Sequence, residues 1–131
     1  MTDHTSPIRI CFATTELATG GAEKCLVNLA SRLPRDQFSA QVLSLAPLPS
    51  APKDQLLKRL QAAEIPVETL NITSVRQFLV ANKGLREYLA DHRFDLLQTF
   101  LYHCNVLGAL AKKRLPGLIH VSGIRVADPS R

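Results

Sequence analysis

Short runs of consecutive apolar residues alternate along this chain with longer stretches whose apolar positions recur every three or four residues. The first run, Ile8-Arg9-Ile10-Cys11-Phe12-Ala13, predicts a strand over 8–13. Leu26, Leu29, Ala30 and Leu33 then predict a helix over 22–33, which Pro34 stops. A second strand follows over 38–45. Pro47, Pro49 and Pro52 make the next segment an extended surface loop. Helix two, 53–64, turns Leu56, Leu57 and Leu60 inward, and strand three is short, 67–70. Ser74 with Gln77 three positions on reads as a capping box opening helix three, 75–92. Its expected buried stripe is Phe78, Leu79, Leu85 and Leu89, and Gly84 weakens it by about 1 kcal/mol relative to Ala. Strand four covers 95–100. Helix four covers 104–115, with Val106, Leu107, Leu110 and Ala111 on one face and Lys112-Lys113-Arg114 in its last turn. Strand five, 118–122, completes the series.

Near-continuous apolar strands separated by helices imply a parallel sheet covered on both faces. The expected fold is α/β, a Rossmann-like doubly wound sheet of five strands. Right-handed crossovers favour the strand order 3-2-1-4-5. Winding then reverses between strands one and four, and a crevice opens at their carboxyl ends. The loops 14–21 and 101–103 line it. One domain is expected over 8–131, after a disordered tail over 1–7.

Composition narrows the function without fixing it. The chain has 131 residues, 46% hydrophobic and 21% charged, as in an ordinary globular domain. Five Phe, two Tyr and no Trp leave little for base stacking, so no nucleic-acid partner is expected. The net charge of +5 fits an anionic substrate, a phospholipid surface or nucleic acid and does not choose among them. Cys11, Cys25 and Cys104 sit in apolar patterns without metal-ligand spacing, which reads as reduced thiols in a cytosolic protein and no metal. No apolar run approaches the roughly 18–20 residues needed to cross a bilayer. The expected location is cytoplasmic, with peripheral contact at the inner face of the cell membrane open to the basic helices.

The chemistry concentrates in the turn Thr19-Gly20-Gly21-Ala22-Glu23-Lys24. Glycines between a strand and a helix let backbone approach a ligand closely. The helix start offers unpaired N–H groups to an anion. The same turn also serves simply to reverse the chain. The adjacent glycines do not make the Gly-x-Gly-x-x-Gly dinucleotide fingerprint, and no P-loop follows. His103, after strand four, is the candidate to orient or deprotonate a hydroxyl; a polar residue near a cap is its other reading. Glu16 in the first loop suits a sugar hydroxyl, and Arg125 after strand five suits a phosphate or carboxylate. Asp95 lies at the opposite edge and reads as structural. His120, within strand five, reads as a satisfied core or edge histidine.

The segments Ile8–Phe12, Gly20–Ala30, Phe94–Thr99 and His103–Ala111 together resemble the opening of family 4 glycosyltransferases, which are retaining enzymes of the GT-B fold. The resemblance covers nearly the whole chain, as the N-terminal, acceptor-binding half of such an enzyme. It implies that Gly20 and Gly21 approach the diphosphate of a nucleotide sugar and that His103 lines the acceptor pocket as the catalytic candidate. Glu16 and Arg125 would bind acceptor, and no metal cofactor would be needed. The implied reaction is transfer of a hexose or amino sugar to a glycan or lipid-linked acceptor. Two features depart from the family pattern. Ile124-Arg125 stands where many members place a histidine, and no two glutamates lie eight positions apart. The C-terminal donor-binding domain is therefore expected to be missing here, leaving a fragment that is inactive alone and that would dimerise to cover an open edge. A non-catalytic α/β module that binds a nucleotide, phosphate or protein partner is the alternative from another functional class.

Overall fold

A computed structural model describes residues 6–18 and 21–123. Five parallel strands, β1 (Ile8–Thr14), β2 (Phe38–Ser44), β3 (Val67–Thr69), β4 (Leu96–Phe100) and β5 (Ile119–Gly123), form one sheet in the order β3-β2-β1-β4-β5. The helices are α1 (Gly21–Arg32), α2 (Gln55–Ala62), α3 (Phe78–His92) and α4 (Tyr102–Arg114). The expected fold class and strand order both hold. In register, Thr14 pairs with Ser44 of β2 on one side and Phe100 of β4 on the other.

The central strand explains the two layers. Successive side chains of a strand point to opposite faces. Ile10 and Phe12 pack with Leu26, Val27 and Ala30 of α1 and Leu56 and Leu60 of α2. Cys11 and Ala13 pack with Leu85 and Leu89 of α3 and Cys104, Leu107 and Ala111 of α4. Both faces of β1 are buried from Ile10 onward, which is why its run from Ile10 to Ala13 is unbroken.

Several boundaries move inward from the sequence reading. Helix α2 begins at Gln55 rather than Lys53. Helix three starts as a single 3-10 turn, Val75–Gln77, before α3 proper. Half of the capping box forms: Gln77 Oε1 accepts from the Ser74 amide at 3.2 Å, while Ser74 Oγ accepts from the Arg76 amide at 3.1 Å rather than from Gln77. The buried stripe of α3 is Ala81, Leu85, Tyr88 and Leu89, spaced for one helical face. Leu79 lies off that face and Phe78 at its margin, so both are exposed, contrary to expectation. In α4 the buried face is Cys104, Leu107, Gly108 and Ala111, with Val106 and Leu110 only half-buried. The glycine moves the contact line, because α4 presses its backbone onto the sheet there.

At the amino edge the chain is tied firmly. The Arg9 amide donates to Asp95 Oδ2 at 2.9 Å, the Asp95 amide donates to the Arg9 carbonyl at 2.9 Å, and the Arg9 guanidinium sits 5.3 Å from the Phe94 ring centre. Asp95 is structural, as expected. His92 is half-buried, its ring 5.9 Å from Phe94 and its Nδ1 2.9 Å from the Tyr88 carbonyl oxygen.

Two helical glycines give a contrasting test. A Cβ at Gly84 would sit 3.5 Å from the Leu70 methyls, an ordinary contact, so Gly84→Ala should stabilise by about 1 kcal/mol. A Cβ at Gly108 would lie 2.5 Å from His120 Nε2 and 2.8 Å from Thr99 Cγ2, so Gly108→Ala should destabilise by about 1–3 kcal/mol. Urea unfolding of the two variants measures both; shifts of the same sign would contradict the packing described.

Candidate functional site

At the carboxyl edge, backbone pairing continues past the strands. The Leu45 amide donates to the Thr14 carbonyl and the Ala46 amide to the Thr15 carbonyl, each at 2.9 Å. The Ile72 amide donates to the Leu45 carbonyl at 2.7 Å. Hydroxyls of Ser44 and Thr69 both donate to the Ala46 carbonyl, at 2.8 and 2.7 Å. These bonds build the floor of a cleft of about 230 Å³. Thr15, Leu45 and Ala46 form that floor. Ile72, Thr73, Ser74, Phe78 and Ala81 form one wall, and His103 and Leu107 the other. The Thr15 hydroxyl oxygen is buried and has no hydrogen-bond partner.

His103 is exposed and lies inside the first turn of α4 rather than ahead of it, because α4 starts two residues early, at Tyr102. The Tyr102 ring meets the imidazole edge-on, 5.6 Å between centres. The turn that delivers it is strained. Leu101 has φ 75° and ψ 153°, a conformation almost confined to glycine that costs about 1–3 kcal/mol. The Leu101 side chain packs against the α1–α2 core while the following helix crosses to the other face. Packing thus holds the strain in place.

Behind His103, Thr99 of β4 is fully buried. Its hydroxyl donates to Asn105 Oδ1 at 2.6 Å, and Asn105 Nδ2 donates to the Gly123 carbonyl at 3.2 Å. Having donated its one proton, the Thr99 oxygen can only accept from His120 Nε2, 2.9 Å away, which fixes the Nε2–H tautomer. Burial lowers the His120 pKa, keeping the ring neutral. His120 is the satisfied histidine expected, and Asn105, which sequence reading passed over, ties α4 to the end of β5.

Gly21 opens α1 at the same edge but on the opposite face of the sheet from His103. It is not among the residues lining the His103 cleft. The two therefore flank the β1–β4 switch point from either side rather than sharing one pocket. A Cβ at Gly21 would meet nothing within 4 Å, so packing does not require this glycine. Glu16 is exposed in the loop after β1. Gly20 and Arg125 lie outside the described residues. A second hollow, of about 290 Å³, opens at the amino edge near Arg35, Gln41 and Glu64, away from these groups.

The buried thiols are inert: burial pushes Cys11 well above the usual range and Cys104 up to about 12. Among the described residues, no three His, Cys, Asp or Glu side chains converge as a metal site, and no helix is long and apolar enough to cross a membrane. Glu23, in the first turn of α1, is only 7% exposed. Burial raises its pKa, a backbone hydrogen bond partly offsets that, and the nearby Glu16 carboxylate adds to the rise. Because the native carboxyl holds its proton more readily than the unfolded one, its contribution to stability is greatest at low pH. That contribution is lost as pH rises through the folded pKa. Glu23→Gln should therefore raise Tm at about pH 7 and leave it near the parent value at about pH 4, where both side chains are neutral. Equal Tm shifts at the two pH values would contradict a buried charge.

Known structures share this fold. The chain is similar to MurG of Acinetobacter baumannii, with 16% identity and a TM-score of 0.65, over 88% of this chain and 34% of that one. A glycosyltransferase from Rickettsia africae ESF-5 is 14% identical, with a TM-score of 0.67, over 95% of this chain and 32% of that one. UDP-GlcNAc 2-epimerase from Neisseria meningitidis, bound to UDP-GlcNAc, is 16% identical, with a TM-score of 0.62, over 94% of this chain and 34% of that one. The chain thus spans about a third of each, and at these identities the likeness is one of fold, half of a GT-B architecture. No match was found among curated proteins. The family model Glycosyltransferase Family 4 matches residues 19–125, from the diglycine turn to the segment beyond β5, and the chain belongs to that family.

Proposed function

We propose that this chain forms the acceptor-side half of a retaining glycosyltransferase that moves a hexose or amino sugar from a nucleotide-diphosphate sugar to an acceptor hydroxyl. The observation that carries this reading is the pairing at the β1–β4 edge of a glycine that packing does not need with an exposed imidazole beside a cleft. In this reading the donor diphosphate approaches Gly20, Gly21 and the amino end of α1, whose N–H groups and dipole stabilise the leaving group without a metal. His103 holds the acceptor hydroxyl and receives or relays its proton. Glu16 and Arg125 contact the acceptor head, and a donor-binding domain completes the site. The enzyme works in the cytoplasm at the inner face of the cell membrane.

The family match favours transfer over the epimerase-like use of the same fold. The full-length gene product, supplied with a panel of UDP-, GDP- and ADP-sugars, is expected to transfer sugar to an acceptor. Gly21→Val should abolish transfer while leaving Tm nearly unchanged. His103→Ala should lower kcat about 100-fold, with a smaller change in donor KM. Sugar release without transfer for every donor, or full activity in Gly21→Val, would overturn the reading.

A further inference from the structure

We propose that the His103 cleft takes the hydrocarbon portion of an amphiphilic acceptor, an alkyl or isoprenoid chain joined to a polar head. This rests on the acceptor-side reading and names the acceptor's class. Most of the lining is carbon, from Leu45, Ile72, Phe78, Ala81 and Leu107. The two hydroxyls in the wall each make one hydrogen bond within it. Thr73 Oγ1 donates to Gln77 Oε1 at 3.1 Å, and Ser74 Oγ accepts from the Arg76 amide at 3.1 Å. The buried Thr15 hydroxyl, unpartnered, the Ser74 O–H and the His103 imidazole bring the further polar side-chain groups to the cleft. A sugar seated fully inside would turn most of its hydroxyls toward hydrocarbon and lose their hydrogen bonds to water. An alkyl chain would lose none, and its head would lie at His103.

The surface around the mouth supports the same occupant. Helices α3 and α4 both begin at the carboxyl edge, where the cleft opens. On their first turns Phe78 is 38% exposed, Leu79 78%, Val80 59% and Tyr102 75%. Phe78 lines the cleft itself, and exposed apolar side chains on the same first turns extend apolar surface beside it. A chain longer than the cleft would pass directly onto them.

The test is calorimetric titration of the 131-residue chain with n-alkyl β-D-glucosides of increasing chain length, each below its micelle concentration. Kd should fall about fourfold per added methylene until the cleft is filled, then level off. Phe78→Asp, at a partly exposed site, should raise Kd about tenfold or more with unchanged circular dichroism; Ala81→Phe should move the plateau to shorter chains. A Kd independent of chain length, or unaltered in a folded Phe78→Asp variant, would overturn the inference. Transfer by the full-length product to chain-free oligosaccharides, with no such length dependence, would sink this inference and leave the transferase reading standing. Length-dependent binding without transfer to any acceptor would support the amphiphile site and remove the transferase reading.

Discussion

The structure depends on β1 being buried on both faces between two parallel neighbours. Its odd and even residues feed separate cores: Phe12 reaches the α1–α2 layer, while Cys11 and Ala13 reach the α3–α4 layer. A strand with two dry faces must sit at the centre of the sheet, and the chain must then wind outward in both directions from it. That places α1 and α4 on opposite faces at the β1–β4 edge. The crevice between them is a consequence of topology before any side chain is considered.

The two edges of the sheet differ in how their polar groups are satisfied. At the amino edge Arg9, Asp95, Phe94 and His92 form a closed set of hydrogen bonds and ring contacts. At the carboxyl edge stand a leucine in a glycine-like conformation, a buried glutamate and a threonine hydroxyl without a partner. Each of these carries a cost. Backbone strain is shared by both edges, since Glu64 and Arg93 before β3 and β4 also have positive φ, of 60° and 53°; the buried glutamate and the unpartnered threonine hydroxyl belong to the carboxyl edge.

Much of this was legible in the sequence, and the reasons are specific. Apolar-rich runs gave the strands, most clearly β1, where burial on both faces from Ile10 to Ala13 removes the polar alternation. The Ser74–Gln77 spacing marked the start of helix three because the capping geometry is local. The errors came where tertiary contact decides. Leu79 reads as core by composition, yet the stripe that meets the sheet runs through Ala81, Leu85 and Tyr88. The strain at Leu101 leaves no sequence signal, because a leucine there is ordinary in type and unusual only in φ. Asn105 and Thr99 were invisible as a pair, since their bond joins a helix to a strand. Gly21 and His103 were expected in one cleft; topology brings both to one edge and puts them on opposite faces.

We propose that ligand chemistry belongs to the β1–β4 carboxyl edge. Amide NMR of the chain, titrated in turn with UDP, GDP and ADP, tests it most directly. The largest shifts, for at least one of the three, should fall on residues 21–23. Shifts gathered instead around Arg35, Glu64 and Ile65 at the amino edge, or none with any of the three, would contradict it.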